Sequence, residues 1–338
     1  MIALGVDTHK YEHAVCALDD RGQVIGERAI SATQQGYADL AGWITGLGED
    51  VVVAIEGAGS YGAGLCEFLL AHAIGVVEVE RPKRAERRRR GKSDQIDARI
   101  AARRVLAADG LSTPRRGGTR QALAALLVAY NSCVKERTRV LNELQALHTT
   151  APGALRERLG NGTGQQLAMR VLKLRTRRER PESEEIILTV LRDLARRAHE
   201  LTTRSKTHKS ALDALIRSLD AELLEEPGIG PISAAKLLVC DPHRLSGEAA
   251  FARCNGTAPL NASSGTTQRH RLSRGGDRQA NNAIHTIALS RARHDPETRA
   301  YLQRRIAQGK TPREAMRSLK RHLSRRLYKR LITVPLTS

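Results

Sequence analysis

Four acidic residues carry the strongest chemical signal in this 338-residue sequence. Asp7 closes a run of strand character, Ile2-Ala3-Leu4-Gly5-Val6, and Glu56 closes a second, β-branched run, Val51-Val52-Val53-Ala54-Ile55. Asp94 and Asp97 fall three apart in Ser93-Asp94-Gln95-Ile96-Asp97-Ala98-Arg99. Residues three apart on a helix are separated by about 60° around its axis, so these two share a face. Brought together, four carboxylates offer hard oxygen ligands to Mg2+ or Mn2+. Two such ions about 3.5–4 Å apart can hold the attacking and leaving oxygens of a phosphodiester. Each acid also has a plain structural reading: Asp94 favours a helix N-terminus, Asp7 opens a turn, and Glu56 is a solvated strand end. A strand-end Asp, a strand-end Glu and a helical Asp-x-x-Asp in this order favour the metal reading.

The elements that must position these acids can be read from the pattern of apolar residues. Three short strands open the chain: Ile2 to Val6, His13 to Leu18 and, after the Asp19-Asp20-Arg21-Gly22 turn, Val24 to Ile30. A helix is expected from Ser31 to Leu47 with Leu40, Trp43, Ile44 and Leu47 on one face, followed by the buried strand that ends at Glu56. A helix from Tyr61 to Ala73 and a strand from Ile74 to Val79 come next. Antiparallel strands first and helix-connected strands after is the order of an RNase H-like sheet, not of a doubly wound nucleotide fold.

Charge indicates the partner. Lys and Arg total 56 against 36 Asp and Glu, a formal net charge of +20, which calls for a polyanion such as nucleic acid. At 41% hydrophobic the chain has the means to fold, and no apolar stretch is long enough for a bilayer, so no membrane partner is expected. Aromatic residues are only 3%, which argues against base stacking as the main mode of recognition. The five cysteines show no zinc or redox spacing, and the start enters a strand directly without a signal-peptide pattern. A cytoplasmic protein, nucleoid-associated when active, is the expectation, with the sequons at Asn161, Asn255 and Asn261 accidental.

Beyond residue 117 the pattern becomes helical. Leu123, Leu127, Tyr130, Val134, Leu141 and Leu144 form one seam, and Ile187, Leu191, Leu194, Ala198, Leu201, Leu212, Leu215 and Leu219 form another, predicting two long helices paired as a coiled coil within or between chains. The Gly- and Arg-rich interval 153–181 between them matches no motif. Pro227-Gly228-Ile229-Gly230-Pro231 ahead of an apolar helix suggests a helix-hairpin-helix, in which Gly228 and Gly230 allow free N–H groups to meet a phosphate; an ordinary helical corner is the alternative. The basic run containing Arg87, Arg88, Arg89, Arg90 and Lys92 adjoins the carboxylates and is expected to bring a phosphate backbone to them. Gly91-Lys92-Ser93 is not a P-loop, because Glu86 stands where that motif needs its first glycine. The last helix repeats Ala315, Leu319, Leu323, Leu327 and Leu331 beneath a basic face.

Three stretches, Gly5-Val6-Asp7-Thr8-His9-Lys10, Ile55-Glu56-Gly57-Ala58-Gly59-Ser60-Tyr61 and Lys92-Ser93-Asp94-Gln95-Ile96-Asp97-Ala98-Arg99, resemble those of the DEDD transposases of the insertion-sequence one-hundred-ten type, the bridge-RNA-guided serine recombinases. The second half agrees through Pro227-Gly228-Ile229-Gly230, Ala258-Pro259, Ser264-Gly265 and Arg271-Leu272-Ser273-Arg274-Gly275-Gly276. The resemblance implies a RuvC-like metal-binding domain over residues 1–116, a helical coiled-coil region over 119–222, and a mostly α C-terminal transposase domain over 223–338 that carries a serine nucleophile.

The same resemblance implies the chemistry. Asp7, Glu56, Asp94 and Asp97 match the family's metal-binding carboxylates, and Ser264 matches its nucleophile by position after Ala258-Pro259, with Ser263 beside it as the alternative. Ser264 would attack DNA to form a covalent phosphoserine that conserves bond energy, so strands exchange without ATP. Arg269, Arg271 and Arg274 are expected to assist at the phosphate. The implied partners are donor and target DNA, a structured non-coding bridge RNA, and further copies of the chain in a dimer or tetramer. Two rivals remain at this stage: a RuvC-like nuclease that uses water with Ser264 structural, and a non-enzymatic nucleic-acid binder.

Overall fold

The computed structural model describes residues 1–79, 94–114, 117–175, 181–262, 270, 271, 273 and 275–336. Two compact units are present: residues 1–120 with 243–246 form the first, and 121–242 with 247–336 form the second.

The first unit is a mixed sheet covered by helices. β1 (Ile2–Thr8), β2 (Glu12–Leu18) and β3 (Val24–Ser31) form the expected antiparallel meander. β4 (Val51–Glu56) and β5 (Gly75–Val79) continue from β1 in parallel, and the short β6 (Leu111–Ser112) closes the far edge antiparallel to β5. The order is β3-β2-β1-β4-β5-β6. α1 (Gln34–Leu47) is started by Thr33, whose hydroxyl accepts from the Gly36 N–H, and α2 (Ala63–Ala71) is shorter than its apolar run suggested. Both help enclose one face of the sheet, where Leu4, Val6, Val15, Val53 and Ile55 meet Leu40, Ile44, Leu65 and Leu69.

Side chains alternate across a strand, so the opposite face receives Ala3, Ala14, Cys16, Leu18 and Ala54. α3 (Asp94–Leu106) covers it with Ala98, Ala101, Ala102 and Val105. The contact is unusually close at Gly5: a Cβ there would fall 1.9 Å from the Ala98 carbonyl oxygen and 2.3 Å from the Ala102 nitrogen. Only glycine on the strand and alanines on the helix permit this approach.

The second unit is helical apart from one two-stranded ribbon among its described residues. α4 (Gly118–Thr150), most of which belongs to this unit, and α7 (Glu182–Asp220) are the two long helices the periodicity predicts. The buried line on α4 beyond Leu127 is Cys133, Val140 and Leu144, not Tyr130, Val134 and Leu141. On α7 it runs through Leu188, Leu191, Ala195, Ala198, Leu212 and Ile216, while Leu215 and Leu219 are only partly covered. The interval without a motif contains two further helices, α5 (Gly153–Leu159) and α6 (Gly164–Lys173). Their Leu155, Leu159, Leu167 and Val171 share a core with Leu144, Leu188 and Leu191. Thr163 caps α6 through a reciprocal capping box with Gln166.

Toward the C-terminus come α8 (Pro231–Val239), α9 (Glu248–Cys254), the β7 (Leu260–Asn261) and β8 (His270–Arg271) ribbon, α10 (Arg278–His294), α11 (Pro296–Ala307) and α12 (Pro312–Leu331). α12 buries Ala315, Leu319, Leu323, Leu327 and Leu331, the stripe that the sequence predicts. Among the described residues, no helix is long and apolar enough to cross a membrane.

Candidate active site

Sheet geometry brings the first two acids together. Val6 pairs with Ile55 in the parallel β1–β4 ladder, so Asp7 and Glu56 adjoin one step later at the carboxyl ends of both strands. Both project to the α3 face, because Gly5 and Ala54 two residues earlier lie on that face. Asp7 is 6% exposed and Glu56 5%. The Thr8 hydroxyl donates to the Glu56 carbonyl at 2.8 Å, tying the two strand ends together. The chain then turns at Gly57, whose φ of +74° suits a residue without Cβ, and the Gly57 carbonyl accepts from both the N–H and the hydroxyl of Ser60.

α3 supplies the other two. Asp94 and Asp97 occupy its first turn, where unpaired N–H groups and the positive end of the helix dipole favour acids. The Gly5–Ala98 approach fixes how near that turn comes to Asp7. Arg99, one residue on, pairs with Glu27 of β3 at 2.7 Å and holds the helix over the meander.

A residue that sequence reasoning did not assign lies between the two groups of acids. His9 Nε2 is 3.2 Å from Asp7 Oδ2 and 3.3 Å from Asp94 Oδ1. Among the described residues, the ligand atoms of Asp7, His9 and Asp94 all lie within 4.8 Å of one another. The available signal was its position, two residues past Asp7 in the β1–β2 turn, where the chain doubles back over the strand end.

Glu56 and Asp97 stand outside that close group, and their charges still reach Asp7. Burial raises the Asp7 carboxyl above the ordinary carboxylate range, and the charge of Glu56 raises it further; Asp97 and Asp94 add to the effect, while His9 opposes it. Three further acids felt at the buried Asp7 carboxyl, with an imidazole at its edge, make a hard oxygen and nitrogen donor set among the described residues. That set fits a divalent cation, which relieves the mutual repulsion.

The expected nucleic-acid contacts divide into two classes. Gly228, at φ +81°, packs closely enough that a Cβ would meet the Ile287 carbonyl and Arg291 of α10 at 3.0 Å each. Gly230 is the N-cap of α8 with open space around its Cα, and Arg271 is exposed on β8. Arg87, Arg88, Arg89, Arg90, Lys92, Ser263, Ser264, Arg269 and Arg274 lie outside the described residues. The ribbon that brackets Ser264 is described, with Leu260 opposite Arg271 and Asn261 opposite His270. Asn255, in one of the sequons, is fully buried: its amide nitrogen donates to the Ser324 hydroxyl at 2.9 Å, so it serves the fold.

Comparison with known proteins supplies the family. A family model described as a transposase, the DEDD type of IS110, matches residues 4–151, and one described as "Transposase IS116/IS110/IS902 family" matches residues 220–303. The chain belongs to the IS110-type transposases. Within this transposase, the first match encloses Asp7, His9, Glu56, Asp94 and Asp97, and the second encloses Gly228, Gly230, Ser264 and Arg271. A curated relative, the "Insertion element IS110 uncharacterized 43.6 kDa protein" of Streptomyces coelicolor, is 35% identical over 118 residues. That match spans 33% of this transposase and 29% of the relative's length.

Proposed function

We propose that this transposase cuts and rejoins DNA for an insertion sequence through a covalent phosphoserine intermediate. The observation that carries the reading is the close group of Asp7, His9 and Asp94, with Glu56 on the adjoining strand end and Asp97 in the same helical turn as Asp94, in a chain of net charge +20. The four carboxylates would hold Mg2+ or Mn2+, with His9 as an added ligand or counter-charge. A bound divalent cation supplies Lewis-acid polarisation of a phosphoryl oxygen. The Ser264 hydroxyl, with Ser263 as the alternative, attacks phosphorus, giving up its proton as the Oγ–P bond forms. The P–O bond to the leaving deoxyribose oxygen breaks, and that oxygen takes up a proton. Rejoining reverses these steps with a new deoxyribose hydroxyl and restores the serine, so no nucleotide triphosphate is consumed. Arg269, Arg271 and Arg274 neutralise the phosphate, while Gly228, Gly230 and the run containing Arg87, Arg88, Arg89, Arg90 and Lys92 hold the backbone.

The strand order β3-β2-β1-β4-β5 with β2 antiparallel supports a RuvC-like, RNase H-like first domain over 1–116. The division into a helical region over 119–222 and a C-terminal domain over 223–338 belongs to the same reading. Exposed Val128, Ile186 and Val190 on the long helices support coiled-coil pairing with a second copy, in a dimer or tetramer. The surplus of cations suits a bridge RNA in addition to donor and target DNA, and a nucleoid-bound, cytoplasmic site of action follows from those partners.

Incubation of the full chain with donor and target DNA and its flanking non-coding RNA, followed by denaturing electrophoresis, tests this directly. A protein–DNA adduct that disappears in Ser264→Ala is expected. Undiminished cleavage by both Ser264→Ala and Ser263→Ala would overturn the phosphoserine step in favour of a nuclease using water. That second reading draws on the carboxylates lying within one compact unit. Unchanged activity in Asp7→Ala would overturn both.

A further inference from the structure

The second unit contains a cavity of about 390 Å3 between the segment Gly256–Pro259, the β8 strand and α12. Its lining brings together Arg271, Arg305, Lys310, Arg317, Lys320 and Arg321. One carboxylate, Glu314, stands among the described lining residues, and it is engaged: it accepts from the Thr311 N–H and hydroxyl at 2.9 Å each and lies 3.8 Å from Arg317. Six cations and one committed acid therefore share the described lining, and Arg321 also meets Glu248 outside it.

Hydrogen bonding within the cavity wall is incomplete in a specific way. Lys320 is 8% exposed, and its ammonium donates to Asn281 Oδ1 at 3.1 Å, a neutral acceptor. Burial holds this ammonium below the ordinary lysine range. Arg321 donates through Nη2 to Glu248 at 3.0 Å, but its Nη1 is buried without a partner. Arg305 donates through Nη1 to Gln308 at 2.9 Å, and its Nε is likewise buried without a partner. Buried charged donors are costly unless an acceptor meets them, and two such atoms, with the Lys320 ammonium held only by a neutral acceptor beside them, call for an anion with several oxygens.

The wall is also held in place. Asn281 donates to the Asn255 carbonyl at 2.6 Å, and Asn255 Oδ1 accepts from the Thr257 N–H at 3.1 Å and hydroxyl at 2.6 Å. A buried polar chain thus runs from Lys320 through Asn281 and Asn255 to the segment that leads into β7. His270 and Arg271 at the cavity belong to the ribbon whose connecting residues include Ser264, and Pro259 immediately precedes its first strand.

We propose that this cavity is a phosphodiester pocket that seats a DNA backbone phosphate, anchored by Lys320, Arg305 and Arg321. The choice of DNA rests on the reading of Ser264 as the DNA-attacking serine; the anion site itself does not. Lys320 and the two arginines bind and position the phosphate, and no proton or bond changes hands there.

Titration of the full chain with labelled duplex DNA of unrelated sequences, over a range of salt concentrations, tests the pocket in a Ser264→Ala background. Lys320→Met should weaken every duplex alike, roughly tenfold, and lower the slope of log affinity against log salt by about one. Without DNA its melting temperature should match or exceed that of the parent, since a buried ammonium is removed. Arg305→Gln, on an exposed helix, repeats the measurement if Lys320→Met fails to fold. An unchanged slope in both variants overturns the pocket, and a slope lost only on an RNA hairpin overturns DNA as its occupant. Covalent trapping with the wild-type chain is scored separately, so loss of the adduct sinks the serine reading while leaving the salt slope interpretable.

Discussion

The Ala98 carbonyl occupies the space where a Cβ on Gly5 would sit, 1.9 Å from that position. Since the backbone of α3 itself fills the gap, no side-chain rearrangement makes room. Gly5→Ala must push α3 off β1 and carry Asp94 and Asp97 away from Asp7. The expected outcome is a stability loss of about 1–3 kcal/mol or more, the ordinary cost of overpacking. DNA processing should fall more than the remaining folded fraction explains. Urea denaturation and an activity assay on the same preparation check both, and a variant that keeps wild-type stability and activity sinks this account of how α3 is placed.

Asp7 gives a pH dependence with a definite sign. Its folded-state pKa is raised by burial and by Glu56, Asp97 and Asp94, so folding favours the protonated form. The contribution to stability is therefore present below the ordinary carboxylate pKa and lost as pH rises through the raised value. In EDTA, wild-type melting temperature minus that of Asp7→Asn should grow more negative as pH climbs from the acid range to neutrality. Mg2+ or Mn2+ should raise the wild-type melting temperature at neutral pH and leave Asp7→Asn unmoved. A difference that is flat with pH would show that burial and the three neighbouring acids do not burden Asp7.

Most of the site is legible in sequence because strand parity does the placing. Asp7 and Glu56 each terminate an apolar run, and alternation puts both on the face that receives α3. His9 was not legible, since its role comes from the turn that folds it back between Asp7 and Asp94. In the interval 153–181, Gly153 and Gly164 read as breaks, whereas each opens a short helix with too few turns to display a period. The buried line on α4 departs from its large apolar residues because it runs through Cys133, which fits the crowded core shared with α5, α6 and α7. The cavity beside Lys320 was invisible for a different reason: its cations come from separate segments, and only packing shows which are buried.

His9 should act on metal affinity more than on the fold. Its imidazole is about half exposed and touches two of the proposed ligands, so His9→Ala removes little packing. Loss of a ligand or of a ligand's partner ordinarily weakens metal binding about 10–100-fold. The midpoint of Mg2+ activation should shift up within that range while maximal activity at saturating metal is largely recovered. His9→Gln, which keeps a polar donor, should shift it less. An unchanged midpoint in both variants would remove His9 from the site.

Arg244 and Glu78 form a pair whose loss should register in stability alone. Arg244 donates to the Glu78 carboxylate, to the Ser112 hydroxyl at 2.9 Å and to the Thr113 carbonyl, with both charged side chains less than one-fifth exposed. Glu78 lies on the sheet face opposite the carboxylate site, since it pairs with Ile55 of the α1 and α2 face. Arg244→Met leaves Glu78 with its charge uncompensated, a change that costs about 3–5 kcal/mol when a buried pair is broken from one side. Glu78→Gln in the same chain should return part of that loss, because the remaining carboxamide carries no charge. Denaturant titration of the two single variants and the double variant measures the coupling, and strictly additive losses would mean that the two side chains do not support one another.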